Sequence, residues 1–292
     1  MIGKRVPPAA LFVAAATTLV LLAPAASAHS SPQARRAARG GPGVWTKIAT
    51  IDNGFDYPGI LRTADGKLHV VWRKHLSNGH YAYGYSNVAL NGAMGGTGTV
   101  LNNWEALEED PDIVHDGGGM RLLFKGGQDT NPANFFGRGS VYTLTSSAAG
   151  TAWSLQHVSV MQHTALNGSF SATAEQDDTP VAVAALNAQL FIHEGTDSAA
   201  PAAAADTTVT LSSGDYFNQS AATASNGSVW VAYFRSFSNP TSLDGYYVQQ
   251  IFPSKGQPMK APASTPKPGG DNEPRQAVAM IARPQGGVYL AY

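Results

Sequence analysis

Cysteine is absent from all 292 residues. That absence excludes disulfides, cysteine-ligated zinc, iron–sulfur clusters and a thiol nucleophile. Charge is scarce as well: Asp, Glu, Lys and Arg make up 13% of the chain, and the net charge is −1. A near-neutral chain of this kind is not built mainly to grip nucleic acid. There is no Gly-rich phosphate loop, no G-x-S-x-G elbow and no HExxH helix motif. Apolar runs are short everywhere except at the N-terminus. What is plentiful is Gly (31), Pro (18) and a 43% hydrophobic content. That balance suits many short strands and tight turns around a sizeable core, rather than long charged helices or disorder.

The N-terminus reads as an export signal. Lys4 and Arg5 form a positive start, Ala9 to Ala23 is apolar or small, and Ala26-Ser27-Ala28 supplies a small-x-small cleavage site. The apolar run is about 15 residues, short of the roughly 20 that span a bilayer as a helix. An uncleaved anchor is the alternative. Residues 1–28 are thus expected to be a signal peptide and 29–43 a flexible Ser/Pro/Gly/Arg-rich leader. Residues 44–292 are then one domain of a secreted bacterial protein. Loss of residues 1–28, with their two bases and no acid, takes the net charge from −1 to −3. The sequons at Asn167, Asn218 and Asn226 then read as chance matches. The Ala-rich stretch Asp197 to Asp206 reads as an insertion loop.

One pattern recurs five times: strand, tight turn, strand. The copies are Pro58 to Trp72, Pro111 to Phe124, Pro180 to Glu194, Gln219 to Tyr233 and Val278 to Tyr292. Each is a β-hairpin signal. Their second strands alternate with period 2, and both faces are largely apolar, as in strands lying between two layers. The turns centre on Gly66, Gly118, Ala188, Gly227 and Gly286, spaced 52, 70, 39 and 59 residues apart. Four-stranded units repeated at roughly this period are the mark of a β-propeller. Segments His80 to Ser86, Ser140 to Thr145 and Gly245 to Phe252 supply outer strands. The fold expectation is therefore all-β: a propeller of about five recognisable blades, or an incomplete ring of six. Val44 to Ile51 is a candidate closing strand. A β-sandwich is the alternative.

Ser146-Ser147-Ala148-Ala149-Gly150-Thr151-Ala152-Trp153 resembles the Asp-box, the bacterial neuraminidase repeat S-x-D-x-G-x-T-W. Ser, Gly and Trp match; the Asp and Thr positions are both Ala. The resemblance to sialidase-like propellers implies a glycan-directed fold, and the box itself is structural in that family. The family's Arg before the first-blade Pro is Asp56 here, ahead of Pro58. Its arginine triad, Tyr/Glu pair and acid have no matching positions. Asp110-Pro111-Asp112-Ile113-Val114 is similar to a motif of five-bladed furanosidases and related glycosidases.

Hairpin geometry sorts the polar residues by end. Residues before each first strand and after each second strand share one end of the ring. By the five copies above, these are Asp56, Glu109, Asp110, Asp177, Asp178, Asn218, Glu273 and Arg275, with Arg73, Lys125, Glu194 and Arg235. Arg offers a planar fork for carboxylates, and paired carboxylates are what glycoside cleavage needs. Such charges also flank strand ends simply because strand ends meet solvent. Glu194 stands out, because the other copies place Trp72, Phe124, Tyr233 and Tyr292 there. A carboxylate in that column requires hydrogen bonding or a function.

The expected catalytic carboxylates are drawn from Glu194, Asp110 and Asp56, and the expected substrate-binding cations are Arg73, Lys125, Arg235 and Arg275. No cofactor and no metal are expected. His69, His75 and His80 lack metal-ligand spacing, and Asp110, Asp112, His115 and Asp116 read as solvated rather than as a calcium site. Tyr81, Tyr83, Tyr85, Phe135 and Phe136 are either sugar-stacking rings or outer-strand packing. The expected function is glycoside hydrolysis of an acidic or neutral extracellular carbohydrate by a monomer. It involves no nucleic acid and no membrane span after signal removal. A non-catalytic glycan- or protein-binding propeller and a polyuronate lyase are the alternatives.

Overall fold

The structure is a computed structural model. It describes residues 47–50, 57–108, 110–127, 140–155, 170–186, 189–195, 207–210, 215–236, 245–262 and 278–291. Side chains of 185–186, 207–210, 215–218 and 235–236 lie outside the description. So do the signal, the leader, most of the Val44 to Ile51 segment, the Ala-rich stretch, Phe135 and Phe136. Among the described residues there is no helix, and hence none long and apolar enough to cross a membrane.

Four sheets and a fifth ribbon follow one another along the chain. The first is β1 (Gly59–Arg62), β2 (Leu68–His75), β3 (Tyr81–Val88) and β4 (Met94–Trp104), in that spatial order. The second is β5 (Ala106–Leu107) and β6 (Asp112–Asp116), both paired to β7 (Gly119–Gly127), then β8 (Ser140–Ser147) and β9 (Trp153–Leu155). The third is β10 (Phe170–Ala174), β11 (Pro180–Leu186), β12 (Gln189–Glu194) and β13 (Thr207–Thr210). The fourth is β14 (Asp215–Thr223), β15 (Val229–Ser236), β16 (Gly245–Phe252) and β17 (Met259–Lys260). The last is the ribbon β18 (Ala279–Ala282) and β19 (Val288–Ala291). Every adjacent pair is antiparallel, and spatial order follows chain order, as in propeller blades.

Each seam between blades has its own apolar core, which is why strands are apolar on both faces. Val71, Tyr83 and Tyr85 of the first blade meet Met120, Leu122 and Phe124 of the second. Leu123 and Val141 on the other face of the second meet Phe170, Ala172 and Ala182 of the third. Val181, Val183 and Ile192 then meet Val229, Val231 and Tyr233 of the fourth. Phe234 and Tyr246 close on Val278, Met280 and Leu290. Neighbouring sheets stack radially, so the sandwich alternative is set aside. The innermost strands approach closely: a Cβ on Gly59 would lie 2.4 Å from the Pro111 carbonyl oxygen. Only glycine fits there.

The third sequence copy is out of register by one strand. Pro180 to Glu194 is β11–β12, the second and third strands of its blade, not the first and second. The true first hairpin is β10–β11, turning through Gln176-Asp177-Asp178. Asp178 adopts φ 66°, the left-handed conformation that Gly66, Gly227 and Gly286 supply in sibling turns. Its N–H donates to Glu175 O as Gly66 N–H donates to Thr63 O. Without a glycine to mark it, the turn is silent in the sequence. In the corrected register Ala184, not Glu194, shares the column of Trp72, Phe124 and Tyr233.

Candidate functional site

The first strand of a blade lies at the edge of its sheet, and the preceding blade supplies acceptors for N–H groups on it. Ala172 N–H donates to Asp112 Oδ2, Ala221 N–H to Ser171 Oγ (2.9 Å) and Met280 N–H to Ser220 Oγ (3.2 Å). These pairs lie 60, 50 and 60 residues apart, one blade each. Ser171 also bonds to the Asp112 carboxylate, so its hydroxyl relays between three blades. The seam between the second and third blades carries an extra latch: Phe170 N–H donates to Asp110 Oδ2 at 2.9 Å.

Asp110 sits where the inner strand of the second blade is broken, between β5 and β6. The break is anchored through its backbone. Arg73 Nη1 donates to Leu107 O at 3.0 Å, the Tyr83 hydroxyl to Glu108 O at 2.9 Å, and Glu108 N–H to Lys125 O at 2.9 Å. The Glu108 side chain is 43% exposed, and its Oε1 lies 3.3 Å from Nζ of Lys125, whose side chain is 2% exposed. Glu108 lies close enough to Asp110 for its charge to act on the Asp110 carboxyl.

Burial dominates the titration here. It pushes the Asp110 carboxyl up to about 7; Lys125 opposes the rise, Glu108 and Asp112 add to it, and the Phe170 N–H opposes it. Asp110 as a whole residue is only half-buried, but its carboxyl lies under the strand break. Asp112 is pushed up to about 6 by burial, against the bonds from Ala172 N–H and Ser171. Asp110 therefore holds a proton at neutral pH in a substantial fraction of molecules.

The structure brings together Asp110, Arg73 and Lys125 at this mouth. Arg73 is seated on Leu107 O and on the ring of Tyr81 (5.1 Å), and Lys125 pairs with Glu108. Asp56, Arg275, Glu109, Glu273 and the side chains of Arg235 and Asn218 lie outside the described residues. Glu194 is at the opposite end. β12 runs parallel to β10 and ends near the first-hairpin turn, where Glu194 and Asp177 raise the Glu175 carboxyl after burial. Asp177 and Asp178 belong to that end too. Asp178 Oδ2 accepts Gly117 N–H at 3.0 Å, latching the turns of the second and third blades. The turn ring continues from Gln176 Nε2 to Ser225 O (2.6 Å) and from Ser225 Oγ to Arg283 O (2.9 Å). The grouping of Glu194, Asp177 and Asp178 with the mouth is thus corrected; it followed from the one-strand register error.

His69 is buried between Thr63 Oγ1 (3.0 Å from Nε2) and the Tyr85 hydroxyl (2.7 Å from Nδ1), away from His75, whose ring lies tilted against Tyr81. Among the described residues no three His, Asp or Glu are grouped to hold a metal ion. The Asp-box-like segment joins β8 to β9. Gly150 has φ 67°, its N–H donates to Ser147 O, and Trp153 packs edge-on against Tyr85 at 5.6 Å. Tyr83 and Tyr85 are buried in the blade seam, so they are packing rings. Glu108 was missed by sequence reasoning. Its signal was the i, i+2 spacing to Asp110, which a reading centred on strand entrances passed over.

No protein-family model matches the chain, and no curated protein matches it. Solved structures do. A polysaccharide lyase of family PL25, an ulvan lyase bound to -[GlcA(1-4)Rha3S]-, superposes with TM-score 0.50 at 14% identity, over 80% of this chain and 62% of the lyase. A xylan β-1,4-xylosidase from Bacillus halodurans C-125 gives TM-score 0.48 at 12% identity, over 82% of this chain and 50% of the xylosidase. NanB gives 0.41 at 15% identity, over 63% and 28% respectively. The chain thus spans half the length of the xylosidase. At such identities the likeness is one of fold, and that fold is the β-propeller.

Proposed function

We propose that the chain is an exported carbohydrate-active propeller that hydrolyses a glycosidic bond at the mouth of the ring, with Asp110 as proton donor. One observation carries the reading: a carboxyl raised to about 7 by burial, fixed through one oxygen by Phe170 N–H, beside the exposed carboxylate Glu108. A general acid works best with a pKa near the operating pH, and glycoside cleavage pairs such an acid with an ionised carboxylate. Phe170 N–H engages Oδ2, which leaves Oδ1 for the proton and the leaving oxygen. The sialidase-like signature and the likeness to the ulvan lyase support a carbohydrate-directed propeller without choosing the reaction, and the N-terminal export signal supports its export.

A lyase reading draws on the ulvan lyase likeness. It requires a Tyr or His base in the mouth. Tyr83, the tyrosine bound to the strand break, is buried and donates to Glu108 O, which favours hydrolysis. Incubation with sialosides, arabinans, xylans and uronans tests both readings. New reducing ends without an unsaturated product support hydrolysis. An unsaturated uronate replaces it with lysis. Binding without product from any of them leaves a glycan-binding propeller.

A further inference from the structure

We propose that Lys125 is a positioning residue of this mouth: from its enclosed place on β7 it clamps Glu108 through its carboxylate and supplies the counter-charge that the buried Asp110 carboxyl faces at the strand break. The inference rests on the hydrolytic reading for its function but not for its physical content. Lys125 looks from the sequence like a substrate cation at a strand end. The structure instead shows its side chain 2% exposed, with Nζ 3.3 Å from Glu108 Oε1. An ammonium so enclosed is poorly placed to meet a bulky sugar anion. It is well placed to act on the groups around it.

Among the described residues those groups come from every element packed against the break. The strand break itself carries Glu108, Asp110 and Asp112. β7 carries Lys125, and also Arg121, which is bound to Asp116 at 2.9 Å and faces the turn end. From the first blade come Arg73, on Leu107 O, and Tyr83, on Glu108 O. β10 offers only backbone N–H groups and the Ser171 hydroxyl. Lys125 is the cation that acts on Asp110, and Glu108 is the acid that counts most against its ionisation. Without Lys125 the buried Asp110 carboxyl would face Glu108 with no opposing cation, and its titration would rise further.

The test is site-resolved titration of the Asp110 carboxyl carbon by NMR in the full chain, together with the pH profile of kcat/KM on whichever glycan is cleaved. Lys125→Met keeps an unbranched buried stem and removes the charge. It is expected to raise the Asp110 midpoint by about one pH unit, the lower end of the effect of a nearby opposite charge. The alkaline limb of the profile should move with it, and Lys125→Arg should restore both. Glu108→Gln, made at a more exposed side chain, is expected to move the Asp110 midpoint down. It serves alone if Lys125→Met does not fold. An Asp110 midpoint unmoved by Lys125→Met in a folded protein overturns the proposal, as does one unmoved by Glu108→Gln. Because the titration needs no substrate, a wild-type chain inactive on every glycan sinks the hydrolytic reading and leaves the action of Lys125 on Asp110 separately decided.

Discussion

Successive blades of this propeller are joined by the same latch made with different chemistry. Between the third and fourth blades, and between the fourth and the final ribbon, the acceptor is a serine hydroxyl: Ser171 and Ser220. Between the second and third it is a pair of carboxyls, Asp112 and Asp110. A hydroxyl satisfies a backbone N–H without charge and without pH dependence. A buried carboxyl does the same work only by remaining partly protonated or by bearing a desolvation penalty. Serine at this register shows that the latch itself does not need an acid. The carboxyls at one seam therefore mark where the ring gives up stability, and a group poised to exchange a proton is a reason for doing so.

The largest expected effect falls on turnover. Asp110→Asn keeps an oxygen for Phe170 N–H but cannot donate a proton to a leaving group. Hydrolysis should fall about 100-fold or more, the usual scale of a lost general acid. Its stability should change in the opposite sense at alkaline pH. The native carboxyl titrates near 7 against 3.8 when unperturbed. Between those values the folded chain holds a proton that the unfolded chain has released. Its stability is full below about pH 4 and declines as pH rises through 7. The whole shift corresponds to on the order of 4 kcal/mol, an upper bound for a half-buried residue. Asp110→Asn should flatten this decline in urea melts taken from pH 4 to 8. If the slope is unchanged, the carboxyl is not the poised group.

Asp112→Ser converts the exceptional latch into its sibling. The Asp112 carboxyl, raised to about 6, gives a smaller decline over a lower window, up to about 3 kcal/mol when converted at the same rate. The two carboxyls influence one another, so the effects should not add. Ser220→Ala is the control at an uncharged seam. It removes one acceptor and should lower stability by about 1 kcal/mol equally at every pH. A pH-dependent loss there would erase the contrast between the seams.

Much of the ring was legible because it is repetitive. Hairpins marked by Gly66, Gly118, Gly227 and Gly286 follow from turn chemistry, and strands apolar on both faces follow from radial stacking. The third blade was misread for a physical reason: Asp178 takes the left-handed conformation without being glycine, and its carboxylate recovers a bond from Gly117 N–H. The next visible hairpin then stood in for it and carried Glu194 to the wrong end. Asp110 was legible from its place before a first strand. Its raised titration was not, because that depends on burial beneath a strand break, with Glu108 adding to the rise and Lys125 opposing it from another strand.

The smallest expected effect tests the two ends of the ring against each other. Glu194 belongs to the turn end with Glu175 and Asp177, and its charge disfavours ionisation of Glu175. Glu194→Gln should therefore leave turnover unchanged and alter stability by no more than about 0.5 kcal/mol, as partly exposed substitutions do. Any change should be a slight gain at neutral pH, because one member of a like-charged group is removed. A large loss of turnover with the fold intact would place Glu194 back at the mouth and reverse the assignment of ends. Asp110 and Glu194 differ little as sequence signals. They differ in which end of the ring they occupy and in how deeply the carboxyl is buried, and that separates a poised acid from a partly exposed carboxylate.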